Sequence, residues 1–299
     1  MRVFVTGATG FIGQPLVKDL LKAGHSVLGL ARSDVSAKTL IGLGADVVRG
    51  SIEDLDTLKK AAAASDGVIH LAFIHDFSDY DGSCRKDREA ISAIGAALEG
   101  SNRPFVIASG TFMLPPGRLG TEDDPADMSN AFTTTRSASE VLVLSLASKG
   151  VLPSVVRLPP TNHGDSDPAF IAMIVSVAQK TGVSAYIGEG LNHWPAAHRL
   201  DSARVFRLAL EKGAAGAVYH AVAEEGVLTK DIAAAIGKGL GIPLVSKSSA
   251  EASEHFGFIA IPFAIDNLAS SSKTRKQLGW VPEQSGLIED IESGVYFKK

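Results

Sequence analysis

The chain has 299 residues, with 29 Lys and Arg against 33 Asp and Glu, giving a formal net charge of −4 at pH 7. That length suits one large α/β unit or two closely joined lobes, and a slightly acidic balance without a basic run argues against nucleic acid as a main partner. Cys84 is the one cysteine, which excludes an internal disulfide framework and fits a reducing compartment.

In chain order, Val3–Thr6 predicts a strand and Phe11–Ala23 a helix ending near Gly24. Ser26–Leu30 is a second strand, Ser36–Leu43 a short helix closed by Gly44, and Asp46–Val48 a third strand. Ser51-Ile52-Glu53-Asp54 has the pattern of a capping box before a helix over Leu55–Ala64. Val68–Leu71, Phe105–Ala108 and Ser154–Leu158 are further strands, separated by helices over Cys84–Leu98 and Ala131–Ser148. The strands are apolar throughout, as burial on both faces requires. Their alternation with helices predicts an α/β fold built on a Rossmann-type doubly wound parallel sheet.

After Pro159-Pro160 the pattern loosens. Ala169–Thr181, Ser202–Glu211 and Thr229–Gly239 read as helices, Ala217–Ala221 as a strand, and a final helix starts at about Gly286. The expected organisation is a nucleotide-binding domain over 1–160 and a smaller C-terminal substrate lobe over 161–299, with part of 183–221 returning to the first. No apolar run approaches membrane-spanning length, and no signal-peptide pattern opens the chain. The expectation is therefore a cytoplasmic protein without a membrane partner, as a monomer or homodimer.

The sharpest motif is Thr6-Gly7-Ala8-Thr9-Gly10-Phe11-Ile12-Gly13, which leads from the first strand into the first helix. In that context Gly7 serves a tight turn, Gly10 admits a pyrophosphate to the backbone, and Gly13 allows close helix–strand packing. The free N–H groups at the helix start favour the anion. A carboxylate at the end of the second strand would hold the ribose 2′-hydroxyl of NAD. Here that strand ends in Ala31-Arg32-Ser33. Arg32 can grip a 2′-phosphate with its guanidinium fork, Ser33 adds a hydroxyl and Lys38 a second charge, so NADP(H) is favoured over NAD(H).

With these features the chain resembles an extended or atypical short-chain dehydrogenase/reductase over nearly its whole length. The resemblance rests on the opening TGxxGxxG, on Val68-Ile69-His70-Leu71-Ala72, on Ile107-Ala108-Ser109-Gly110-Thr111, on Arg157-Leu158-Pro159-Pro160-Thr161, on Trp194-Pro195, His198-Arg199 and Asp201, and on Leu278-Gly279-Trp280-Val281-Pro282. It implies that Ser51 and Ile52 meet the adenine and that Leu71 and Ala72 lie against the cofactor. It also implies that Ser109 and Thr111 stand beside the nicotinamide and that Pro159 belongs to the segment covering that ring.

The family's working pair is a Tyr with a Lys four residues later, one turn apart on a helix face. Counted back from Glu140, those positions are Phe132 and Arg136. None of Tyr80, Tyr186, Tyr219 and Tyr296 has Lys four residues on. Phe carries no proton, and Arg is a permanent cation that relays none, although it can bond a ribose hydroxyl. The remaining catalytic candidates are Thr111, Ser109, Arg136 and His163, the last because imidazole suits proton transfer near neutral pH. For Ser109 a role in satisfying the strand end weighs equally. His163 and His198 are expected to be structural more often than catalytic, with His198 bracing the lobe through Asp201, itself a candidate helix cap before Ser202. His70 reads as a core residue, Tyr186 as strand packing or an alternative phenol donor, and Trp194 as a plug of the lobe interface. Scattered histidines predict no metal, and the absence of GxSxG argues against hydrolysis.

The reading that follows is an NADP-dependent oxidoreductase reducing a carbonyl, imine or conjugated bond of a small organic substrate. The alternatives are a nucleotide-sugar epimerase or dehydratase and a non-catalytic NADP-sensing binding protein.

Overall fold

The computed structural model describes residues 1–129 and 131–297, with the side chains of Phe77, Ala131 and Phe132 outside that description. The strands are β1 (Arg2–Thr6), β2 (Ser26–Ala31), β3 (Asp46–Arg49), β4 (Gly67–His70), β5 (Pro104–Gly110), β6 (Leu119–Gly120), β7 (Leu152–Leu158), β8 (Thr161–His163), β9 (Ser184–Ile187), β10 (His193–His198), β11 (Ala217–His220), β12 (Glu224–Leu228), β13 (Leu244–Lys247) and β14 (Leu268–Ala269). The helices are α1 (Gly13–Lys22), α2 (Asp34–Leu43), α3 (Leu55–Ala63), α4 (Tyr80–Leu98), α5 (Ala131–Ser145), α6 (Phe170–Thr181), α7 (Arg199–Lys212), α8 (Thr229–Leu240), α9 (Ser249–Phe256), α10 (Ala260–Phe263), α11 (Ser272–Leu278) and α12 (Leu287–Glu292).

Seven strands form one sheet in the order β11-β7-β5-β4-β1-β2-β3, with every neighbouring pair parallel. The predicted Rossmann-type sheet is therefore present. Successive side chains explain its two cores, because strand residues alternate between faces. Val3, Val5, Val106 and Val156 point into a cluster completed by α1 and α7. Phe4, Phe105, Ile107 and Val155 point into a second cluster with α3, α4 and α5. Both clusters are buried, hence the unbroken apolar strands.

The second half contributes to both parts of the molecule. β11 adds the edge strand beside β7, and α7, Leu278 and Trp280 join the first cluster. Between them, β8, β10 and β12 form a small mixed sheet, and α6, α8, α9 and α12 build a third core around Trp194 and Phe263. Among the described residues no helix is long and apolar enough to cross a membrane.

Several predicted bounds shift for local reasons. α1 starts at Gly13 rather than Phe11, because Gly10 N–H bonds the Gly7 carbonyl at 2.9 Å and keeps residues 7–12 in a turn. The expected capping box at Ser51 is absent. Asp54 caps α3 through Thr57 N at 3.3 Å, while Ser51 Oγ accepts from Glu53 N. α4 opens at Tyr80, four residues before the predicted start, because Asp79 caps it through Gly82 N. α7 opens at Arg199, with His198 accepting from Leu200 N at 3.2 Å. Asp201 is therefore no cap. It lies buried in the first turn, where its carboxylate accepts from Glu283 N and Gln284 N.

Candidate functional site

The site begins where β1 meets α1. Gly7 has φ +67°, and a Cβ there would stand 2.7 Å from Ala72 N and 2.9 Å from the Leu71 carbonyl carbon. A Cβ on Gly13 would stand 2.0 Å from the Gly7 carbonyl oxygen. Glycine is thus demanded by conformation and by contact. The strand end, the β4 loop and the helix start are compressed into one corner, and Ile12 at the N-cap of α1 uses no side chain to satisfy the first N–H groups. A cradle of this kind, with no side chain filling it, fits a dinucleotide's pyrophosphate.

At the end of β2, Arg32, Ser33 and Lys38 are exposed around the start of α2. The Ser33 hydroxyl caps α2 by accepting from Ser36 N at 3.1 Å. Asp34, the acid beside Arg32 in sequence, is paired with Arg49 from β3, which also donates to the Ser33 carbonyl. Arg32 therefore has a companion guanidinium that sequence reading missed, because Arg49 arrives from the neighbouring strand. Gly50 N–H bonds the Ala31 carbonyl at 3.2 Å, which sets Ser51 and Ile52 alongside the end of β2.

Beneath the glycine turn runs a buried polar chain. Ala72 N donates to Thr6 Oγ1 at 3.2 Å, and Thr6 Oγ1 lies 2.8 Å from His70 Nδ1. His70 Nε2 lies 3.2 Å from Asp87 Oδ1. A carboxylate only accepts, so in the neutral ring Nε2 carries the hydrogen and Thr6 donates to Nδ1. Asp87 Oδ2 then accepts from Arg136 Nη1 at 3.0 Å and from Ser139 Oγ at 2.6 Å. Burial works to raise the Asp87 carboxyl, but the Arg136 charge and the His70 bond hold it below the usual carboxylate range. Arg136 also donates to the Ala108 carbonyl at 2.7 Å and lies 4.8 Å over the Phe73 ring. The guanidinium is thus fixed at the end of β5, next to Ser109. Phe132 stands one turn earlier on α5, and its side chain lies outside the described residues.

The four catalytic candidates separate. Ser109 is 7 % exposed and its hydroxyl has no partner among the described residues. Thr111, by contrast, is fully buried and donates to Asn267 Oδ1 at 2.7 Å, while Asn267 Nδ2 returns a bond to the Thr111 carbonyl. Thr111 therefore stitches the end of β5 to the second lobe. His163 is fully buried, with Nδ1 2.6 Å from Asp290 Oδ2 and its ring edge-on to His198. Pro159 is buried above the sheet end, where its carbonyl accepts from Asn162 Nδ2.

Tyr80 was set aside from sequence because Cys84, not Lys, stands four residues on. Its ring packs edge-on to Phe73 at 6.3 Å, the same ring that Arg136 covers. Burial pushes the Tyr80 phenol well above its ordinary range, the neighbouring Cys84 adds to the shift, and Arg136 opposes it. Tyr186 is remote from this corner, with Lys230 5.4 Å from its ring. Trp194 is enclosed by Phe112, Phe170 and Phe263. His198 does not brace the lobe through Asp201, which is occupied by the 283–284 backbone. Among the described residues no group of His, Cys, Asp or Glu is placed to hold a metal ion.

The chain is similar to known proteins over most of its length. A protein of Schizosaccharomyces pombe described as uncharacterized is 51% identical over 298 residues, spanning 99% of this chain and 100% of its own. A 4-hydroxy-2-methyl-3-oxo-4-farnesyl-3,4-dihydroquinoline-1-oxide ketoreductase of Stigmatella aurantiaca is 28% identical over 226 residues, which cover 73% of this chain and 67% of the relative. The crystal structure of DesIV, a dTDP-glucose 4,6-dehydratase from Streptomyces venezuelae with NAD and TYD bound, superposes with a TM-score of 0.77 at 18% identity, covering 99% of this chain and 96% of that one. That likeness is one of fold. The model of the NAD dependent epimerase/dehydratase family matches residues 3–223, a span that contains the glycine turn, the β4 loop, the end of β5 and Arg136. The chain belongs to the NAD dependent epimerase/dehydratase family.

Proposed function

We propose that this protein is an NADPH-dependent oxidoreductase that reduces a carbonyl, imine or conjugated bond of a small organic substrate. The observation that carries the reading is Arg136, held by Asp87 and the Ala108 carbonyl beside the unpartnered hydroxyl of Ser109. Such a corner binds a carbonyl oxygen and so makes its carbon more electrophilic, but offers no lysine relay. When bound, the dihydronicotinamide supplies a hydride. With a carbonyl substrate, Ser109 donates a hydrogen bond to the oxygen, and the Arg136 charge stabilises the negative charge that develops there. Tyr80, whose ring packs on the same Phe73 that Arg136 covers, is the proton source for a carbonyl substrate. An imine that arrives protonated needs no such donor.

Cofactor choice rests on Arg32 and Arg49 at the start of α2, two guanidiniums where an acid would select NAD. The ketoreductase relative supports reduction over epimerisation, and an epimerase or dehydratase would need a competent base at the corner where this chain has Phe132 and Arg136. The test is turnover of purified protein with NADPH against ketones, enones and cyclic imines. Loss of the dihydronicotinamide absorbance with one class is the expected result. Tight NADPH binding with no oxidation across the panel would replace the reading with a non-catalytic sensor.

A further inference from the structure

We propose that Arg199 is a clamp for the diphosphate of the dinucleotide, reaching from the second half of the chain onto the glycine turn. The inference rests on the dinucleotide reading above and names a residue that the glycine motif does not contain. Arg199 is the first residue of α7, and its guanidinium carbon lies 4.8 Å over the ring of Phe11, inside the turn that faces the phosphates. A ring face orients the cation without neutralising it.

The charge balance around Arg199 is unusual among the arginines of this helix. Arg204 pairs with Asp201 at 3.4 Å and Glu283 at 2.9 Å, and Arg207 pairs with Asp19 at 2.6 Å and Glu211 at 2.9 Å. Arg199 makes no ion pair among the described residues. Its Nη1 donates to the Asp165 carbonyl at 2.7 Å, which leaves the rest of its five-donor fork without an acceptor among the described residues. A half-buried guanidinium with spare donors suits an anion, and a diphosphate can accept the planar fork at two oxygens.

The arm is also held in place. Gly164 has φ +131°, and a Cβ there would come 2.8 Å from His198 Nε2 and 3.3 Å from Arg199 Cδ, so the 164–165 backbone lies directly against the arginine stem. That loop is latched from the C-terminal end. The Tyr296 hydroxyl donates to Asp167 Oδ2 at 2.9 Å and accepts from Gly164 N at 3.3 Å. The Asp165 carbonyl and the Phe11 ring thus fix the guanidinium before any ligand arrives, which lowers the ordering cost of binding. One consequence is that the cofactor bridges the two halves of the chain.

The test titrates three probes into full-length protein: NADPH, 2′-phosphoadenosine 5′-diphosphoribose, and adenosine 2′-monophosphate, which has no diphosphate. Arg199→Met keeps the apolar stem over Phe11 and removes the charge. It is expected to weaken the first two probes about tenfold, to leave the third unchanged, and to flatten the salt dependence of NADPH binding. Arg199→Lys should recover part of the loss. Equal affinity of wild type and R199M for the two diphosphate probes would overturn the clamp, as would an equal loss on all three probes. If wild-type protein binds none of the probes, the dinucleotide reading itself falls, and the clamp with it.

Discussion

Arg136 Nη1 and Asp87 Oδ2 meet at 3.0 Å, and their side chains are 12 % and 2 % exposed. The pair ties α4 to α5 beneath the end of β5, and the same carboxylate holds His70 and Ser139. Removing one partner of a buried pair typically costs about 3–5 kcal/mol, because the other charge is left uncompensated. Asp87→Asn is expected to lower stability by roughly 3 kcal/mol, read as a reduced urea midpoint at unchanged slope. It should also lower kcat, since Arg136 loses its anchor. An unchanged midpoint would show that the pair is not a structural tie.

Cofactor selection should respond to the two guanidiniums at the start of α2. Arg32→Ala and Arg49→Ala are each expected to weaken NADPH binding roughly tenfold, as loss of a solvent-accessible charge-assisted contact implies, and to leave NADH binding flat. Fluorescence titration of both nucleotides checks this. Parallel losses for NADPH and NADH would remove the 2′-phosphate assignment.

Tyr80→Phe separates proton supply from binding. With a ketone substrate kcat is expected to fall about a hundredfold at little change in KM, the usual worth of a positioned acid. With a preprotonated cyclic imine the same variant should turn over at nearly the wild-type rate. A variant equally active on both substrates would place the proton source elsewhere.

His220 gives the fold an acid sensitivity of definite sign. Its Nδ1 lies 2.7 Å from the Ser270 carbonyl and its Nε2 faces Arg157 Nη1 at 3.4 Å, so the neutral ring donates at one end and accepts at the other. Burial, and then the Arg157 charge, push it from 6.5 down to about 3. Above the unfolded value the ring is neutral in both states and its contribution is fully present. As pH falls from 6.5 toward 3 the unfolded chain takes up a proton that the native protein refuses. Stability therefore declines in that window by about 1.4 kcal/mol per pH unit from this group. Urea midpoints across the window should fall less steeply for His220→Gln. Identical slopes for the two proteins would sink this account.

The parallel sheet and its cofactor turn were legible because they rest on local signals. Apolar runs mark strands buried on both faces, and Gly7 and Gly13 occupy positions where a Cβ would strike the neighbouring backbone. The capping error at Ser51 shows the limit of the same approach, since Asp54 satisfies the local pattern as well and stands closer to the helix. The candidate site was less legible because its contacts join distant segments. Asp87 meets Arg136 across 49 residues, Arg49 meets Asp34 across 15, and Thr111 meets Asn267 across 156. Tyr80 was passed over for another reason: four residues on stands Cys84 rather than Lys, and the cation nearest its ring neighbour Phe73 is Arg136, which comes from another helix.

The late return of β11 and of Trp280 to the first core constrains synthesis. The indole of Trp280 is fully buried and donates to the Asp201 carbonyl at 3.1 Å, although it lies 79 residues later in the chain. While the nascent polypeptide is still emerging from the ribosome, β7 is an open sheet edge and the first core lacks its last aromatic plug. An exposed edge of that kind invites mispairing with other chains. The amino-terminal half therefore stays an incomplete core until Trp280 has been added.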